Sequence, residues 1–412
     1  MSSETCRLSE IAKIQGGYAF KSADFGSQGI AVVKIANIQP PAVSLVSVDR
    51  VAPEKLAGLE RFKLEDGDIL MAMTGATVGK VGRFKESEPA YLNQRVARIS
   101  ALKGKQFDDF IYAVVSLPGF DELIEGASAG SAQANISAAG IGSVQIPKLT
   151  EAEQLGIGKI ARTLDDRINL LRETNKTLEA IAQALFKSWF VDFDPVRAKM
   201  EGRQPEGMDD ATAAQFPDSF EESELGEIPK GWSVLKFGDF IERLSVGKKF
   251  DQKTALVEGL VPILDQGKSG MIGFHNETPG VNASLDSPVV VFANHTCYMR
   301  LICFDFSAIQ NVLPFVGKGV DTVWAFFATR DRVKFTEYKG HWPDFAIEKA
   351  VVPLKSLTDS FRGAVSPLIR RIRINELQTE TLSNLRDTLL PRLISGQLRL
   401  PDAEAQIEAL TA

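Results

Sequence analysis

The run TGATVGKVG, Thr74 to Gly82, invites a reading as a loop that cradles phosphate. Counted back from Gly79-Lys80, however, the position that needs glycine is Thr74. Val81 stands where Ser or Thr would hold magnesium, so a strand–turn–strand loop is the better reading. The three histidines, His275, His295 and His341, are widely scattered. His295-x-Cys297 followed by Cys303 lacks the spacing of zinc ligands, and buried thiols are the plainer reading. A nucleophile elbow set between strand and helix, a zincin helix and a GxGxxG after a strand are all missing. So is the Asn/Asp-Pro-Pro-Tyr/Phe tetrapeptide with which amino-methyltransferases hold a target base. These residue types imply a chain with no active site and no metal or cofactor of its own.

Composition bounds the remaining choices. A length of 412 residues leaves room for two or three domains with proper cores. The hydrophobic share of 44% and charged share of 24% are those of an ordinary soluble protein. No run of 18 apolar residues offers a membrane span, and MSSETCRLSE lacks the basic and then apolar parts of a signal peptide. Three cysteines are too few for a disulfide framework, which suits a reducing cytoplasm. The net charge of −6 is unevenly placed. Asp192 to Glu227 holds eleven Asp/Glu and three Lys/Arg, a local −8, so the remainder carries +2. That acidic, Pro/Gly-punctuated stretch reads as a solvated loop.

Two segments about 206 residues apart read as the same element. Ile146-Pro147 lines up with Val352-Pro353, Thr150-x-x-Glu153 with Ser356-x-x-Asp359, and Ile168-Asn169-x-Leu171 with Ile374-Asn375-x-Leu377. Each begins a long heptad helix. In the first, Thr150 and Glu153 form a capping box. Ile157, Leu164, Leu171, Leu178 and Leu185 then recur every seven residues, with Ile160 and Ile181 on the second seam position. The helix ends before Asp194-Pro195 and is ~60 Å long at 1.5 Å per residue. In the second, Phe361, Leu368, Asn375, Leu382 and Leu389 keep the interval, with Asn375 a register-setting polar residue. Pro391 should kink or end it, and Gly396 suits a terminus. The natural partner of each helix is the other, in an antiparallel coiled coil.

Before each helix lies a β-patterned region, with runs such as IAVVKIANI and GDILMAMTG in one, SPVVVFAN and TVWAFFATR in the other. Short strands with Gly/Asn/Asp punctuation indicate mixed α/β modules with curved sheets. The modules resemble each other weakly, at Leu8-x-x-Ile11 against Phe237-x-x-Phe240 and at Gln94 against Gln310. The expected organisation is a pseudo-two-fold repeat: module 1–149, helix 150–192, acidic connector 193–230, module 231–353, helix 354–400 and tail 401–412.

The chain resembles the specificity subunits of Type I restriction-modification systems. The resemblance rests on GDILMAMTGATVGKVG (Gly67 to Gly82), LNQRVARI (Leu92 to Ile99) and Gly130-x-x-x-x-Asn135-Ile136-Ser137 leading to the Ile-Pro step. Glu151-x-x-Gln154, Ile157 and Leu164-Asp165-Asp166 follow, then YKGHWPDF (Tyr338 to Phe345) and RDTLLPRLISGQL (Arg386 to Leu398). The second module offers SPVVVFANHT (Ser287 to Thr296) in place of the GDIL…TG loop. The resemblance implies two target-recognition domains, each reading one half of a split, asymmetric double-stranded DNA sequence. It also implies helices that set the gap and dock two modification subunits. Those subunits would bring S-adenosylmethionine and methylate adenine, and restriction subunits would add ATP- and magnesium-dependent translocation and cleavage.

Major-groove reading needs Arg, Lys, Asn and Gln on loops. The candidates in the first module are Thr74, Thr77, Lys80, Asn93, Gln94 and Arg95. In the second they are Lys268, Ser269, His275, Asn276, Asn294, His295, Arg300 and Lys318. Asn93 or Gln94 can equally satisfy backbone groups at a strand start. Leu164, Leu171, Leu178, Leu185, Leu368, Asn375, Leu382 and Leu389 are the candidates for helix pairing and subunit docking. Arg370, Arg371 and Arg373 read as docking or helix-surface charges. A coiled-coil scaffold without DNA, and the specificity chain of a system that methylates without cleaving, are the alternatives.

Overall fold

The computed structural model describes residues 4–85, 87–127, 136–267, 270–337 and 339–411. The chain divides into two compact units, Met1–Leu170 with Gln378–Ala412, and Leu171–Leu377. Each unit combines one β-rich module with part of two long helices, Glu151–Phe190 and Lys355–Ile394.

In the first unit, Ala12–Gly16, Val96–Ala101, Ile69–Ala72, Val81–Arg83, Ala42–Val43 and Ile38–Gln39 form a six-stranded sheet in that order. A four-stranded sheet runs Ala90–Leu92, Ile30–Val33, Asp49–Val51, Phe25–Gly26. The module is closed by Thr5–Arg7, which pairs antiparallel with Gln145–Pro147, the strand leading into the first long helix. The second unit repeats this plan. Ile241–Arg243, Val312–Gly317, Val289–Ala293 and Met299–Ile302 form one sheet, and Lys249–Phe250, Ser307–Ile309, Val261–Leu264 and Met271–His275 the other. Ser233–Lys236 pairs antiparallel with Lys349–Val352, the strand leading into the second long helix. The correspondence reaches single hydrogen bonds: Leu8 N–H to Val144 O at 2.9 Å reappears as Phe237 N–H to Glu348 O at 2.8 Å. Ile69–Ala72 and Val289–Ala293 are buried throughout, as expected of central strands that are continuous apolar runs. SPVVVFANHT therefore occupies the topological place of the GDIL…TG loop.

Within each unit the long helices run antiparallel, as the heptads imply. In the first, Arg386 Nη1 pairs with Asp165 at 2.8 Å, and Leu400 covers Gly156. In the second, Asn375 Nδ2 donates to Asn175 Oδ1 at 2.7 Å, Asn175 Nδ2 to Ile372 O at 3.2 Å, and Phe361 meets Phe190. Asn375 is fully buried on the seam. Leu164, Leu171, Leu382 and Leu389 are buried, while Leu178, Leu185 and Leu368 are half-buried. Ile181, placed on the seam from sequence, is instead exposed, and Ala182, Phe186 and Trp189 are buried. A straight helix drifts ~20° per heptad, so its inward face moves off the seven-residue series.

Three further expectations change. The first capping box forms, with Glu153 N–H donating to Thr150 Oγ1 and Thr150 N–H to Glu153 Oε2. Its counterpart does not, because the second helix already begins at Lys355, which puts Ser356 inside its first turn, and Asp359 pairs with Lys355 at 2.7 Å. Pro391 does not end the second helix, which runs to Ile394; Gly396, at φ +73°, follows its end. The acidic stretch is folded rather than a solvated loop. It holds helices Asp194–Met200 and Asp210–Ala214 and the hairpin Phe220–Ser223/Gly226–Pro229. Val196 and Phe216 are buried with Trp232, Trp189 and Phe361 in one aromatic core, while the carboxylates stay outside.

That core predicts a stability effect. Phe361 is fully buried against Phe186, Trp189, Phe190 and Phe327. Phe361→Ala is expected to cost about 3–5 kcal/mol, read as a fall in the urea midpoint. A cost below about 1 kcal/mol would contradict this packing.

Candidate nucleic-acid interface

In the first module the six-stranded sheet brings two turns to one end. Ala72 lies opposite Val96, and Met73 N–H donates to Arg95 O at 3.0 Å. The Thr74–Lys80 turn therefore sits beside Asn93–Arg95. Gly79, at φ +80°, leaves room for nothing larger, since a Cβ would lie 2.7 Å from Asp121 Cβ. Thr77 Oγ1 donates to Thr74 O at 3.2 Å, and Lys80 is exposed. Gln94 and Arg95 are exposed, whereas Asn93 is buried and its Oδ1 accepts from Arg95 N–H at 3.5 Å. Asn93 thus shapes the turn. Tyr18, missed in the sequence, joins this end: its N–H donates to Leu92 O and its carbonyl accepts from Gln94 N–H, both at 2.9 Å. Tyr18 is 38% exposed; the one signal was an aromatic after Gly16-Gly17, where Gly17 lets the chain approach Asn93.

The second module builds the same end with other side chains. Asn294 N–H donates to Asn311 O at 2.9 Å, the counterpart of Met73 to Arg95. His341 N–H then donates to Asn294 O at 2.9 Å, as Ile136 N–H does to Met73 O at 3.0 Å. Gln310 falls on the position of Gln94. Asn294 Oδ1 accepts from Trp342 N–H at 2.8 Å, so Asn294 fixes the start of helix Trp342–Ile347. His295 is tied at both ends, its N–H to Gln266 Oε1 at 3.0 Å and its Nδ1 to Lys339 O at 2.8 Å.

The other candidates lie apart. Lys318 is exposed where Val312–Gly317 ends, far along the strand from Asn311. Asn276 is exposed, with Oδ1 accepting from Leu260 N–H at 3.0 Å. Arg300 is half-buried and donates to Gly270 O at 2.7 Å; burial lowers its pKa. Lys268 and Ser269 lie outside the described residues, as do Tyr338 and the Gly130–Asn135 part of the family motif. His275 is in the core, stacked on Phe250 at 4.1 Å with Nδ1 accepting from Glu277 N–H at 3.0 Å. Arg373 packs over Phe304 and pairs with Glu376 at 3.1 Å, while Arg370 and Arg371 are exposed. Burial pushes the Cys303 thiol up to about 11. Among the described residues no cluster of three or more His, Cys, Asp or Glu could hold a metal ion. No described helix is long and apolar enough to cross a membrane.

These ends carry amide and cationic side chains on turns held by backbone hydrogen bonds. Two equivalent mixed α/β modules, each with a strand feeding one long helix of an antiparallel pair, define a two-module protein with an internal repeat. Residues 2–180 match the Type I restriction modification DNA specificity domain. The chain is 24% identical to the Type I restriction enzyme MjaIX specificity subunit of Methanocaldococcus jannaschii, over 82% of this chain and 78% of that protein. It is also 24% identical to the HindI specificity subunit of Haemophilus influenzae, over 62% of this chain and 69% of that protein. The fold is shared with the Type I restriction-modification S subunit from M. genitalium, at TM-score 0.55 and 14% identity over 95% of this chain and 96% of that one. The chain is thus similar to Type I specificity subunits, as its motifs imply.

The placement of His275 carries a pH prediction. Burial holds its pKa below the ordinary 6.5, with smaller opposing effects of Glu277, which raises it, and Lys248, which lowers it. The folded state therefore favours neutral imidazole, so this contribution is complete above the unfolded pKa and is lost as pH falls below it. Between about pH 7 and about pH 5.5 the loss of stability should be smaller in His275→Phe than in the parent. Equal pH slopes in urea unfolding would contradict the assignment.

Proposed function

We propose that this chain is the DNA-recognition subunit of a Type I restriction-modification complex, each module reading one half of a bipartite asymmetric site. The observation that carries the reading is the repeated sheet end: equivalent backbone hydrogen bonds, Met73 N–H to Arg95 O and Asn294 N–H to Asn311 O, hold the turn after Gln94 in one module and the turn after Gln310 in the other. One scaffold with two sets of side chains is what two different half-sites require. Exposed Gln94, Arg95 and Gln310 and half-buried Asn311 supply the donors and acceptors that match base edges, and Lys80 supplies a cation for phosphate. Thr74, Thr77 and Gln94 flank the first reading edge.

The antiparallel helices serve as spacer and as docking surface for two modification subunits. Leu170, Ile181, Ile374 and Leu377 are exposed apolar residues on these helices suited to that contact. The chemistry belongs to the partners: S-adenosylmethionine for adenine methylation, ATP and magnesium for a restriction subunit. The complex would work in the cytoplasm, where its DNA is.

The test is a genome-wide methyladenine map in cells expressing the chain with its modification subunit. Two short half-sites around a fixed unspecified gap are expected. A continuous motif, or no methylation with both proteins soluble, would overturn the reading.

A further inference from the structure

We propose that a groove of about 450 Å³ on the second module, lined by Arg243, Lys249, Gln310, Asn311 and Trp342, reads an adenine edge in the major groove of the second half-site. This rests on the DNA-recognition reading above and adds residues to it, since none but Asn294 among the groove's polar lining was expected from sequence.

Gln310 is exposed and Asn311 holds the left-handed conformation at φ +67°. Neither side chain has a hydrogen-bond partner among the described residues, so their amides are available to a ligand. The backbone beneath them is fixed, because Asn311 O accepts from Asn294 N–H, and Asn294 Oδ1 in turn holds Trp342. Trp342 then carries the Arg243 guanidinium 5.0 Å above its ring. A carboxamide presents one donor and one acceptor side by side, the complement of adenine N6 and N7. Arg243 and exposed Lys249 at the rim supply cations for the flanking phosphates. Asn294 is a positioning residue in this arrangement.

The test uses the full complex and the methyladenine map. Asn311→Gly keeps the positive φ while removing the amide. With Gln310→Ala, it should relax one or two positions of a single half-site, with roughly ten- to hundred-fold loss of discrimination there. Gln94→Ala in the first module should relax the other half-site. Gln310→Glu should move the preference at its position from adenine toward cytosine, since a carboxylate accepts from cytosine N4. Lys249→Ala should lower methylation at all sites and leave the motif unchanged. A parent with no bipartite motif overturns the DNA reading itself. A bipartite parent motif that survives Gln310→Ala, Asn311→Gly and Gln310→Glu, or relaxation of the same half-site by Gln94→Ala and Gln310→Ala, overturns the groove assignment alone.

Discussion

The pairing of each module's first strand with the strand that enters a long helix is the constraint on which the rest hangs. Thr5–Arg7 lies against Gln145–Pro147, and Ser233–Lys236 against Lys349–Val352, each antiparallel and in register. The two ends of a module are thereby brought together at the root of a helix. Everything between them, two sheets and their turns, is held as one closed loop of chain. Proline then stops the strand, and the helix begins within a few residues. Side chains on the turns can change without disturbing this closure, because the ladder is made of backbone groups.

The helices add a second level of fixation. Arg362 bonds Asp321, which caps helix Thr322–Thr329, and also the carbonyls of Leu285 and Asp286. In the first unit Arg83 pairs with Asp109, and Arg162 reaches the same carboxylate. Different residues thus tie each module to its helix. Asn375 with Asn175 specifies the pairing inside the second unit, as one buried polar pair specifies register in coiled coils. Asn375 Oδ1 has no partner among the described residues, so the pair costs stability in exchange for register.

Much of the fold was legible in the chain because it follows periodic or local rules. The Thr150–Glu153 box and the Ile157, Leu164, Leu171 series define the first helix, and the aligned Ile-Pro and Val-Pro steps reveal the repeat. What escaped depends on distant contacts. His275 looks like an exposed polar loop residue until Phe250, 25 positions earlier, stacks on it. The acidic stretch looks solvated because its charges outnumber its few large apolar residues, yet Val196 and Phe216 suffice to anchor it in the core beside Trp189, Trp232 and Phe361. Gln310-Asn311 was visible only as one matched glutamine, since the equivalence of the two sheet ends lies in backbone hydrogen bonds.

The central claim is that two equivalent modules read two half-sites independently. Exchanging residues 231–352 for the equivalent module of a relative, and mapping methyladenine with the same modification subunit, tests it most directly. One half-site should change while the other half-site stays as it was. A simultaneous change in both halves, or an unchanged motif, would contradict the account.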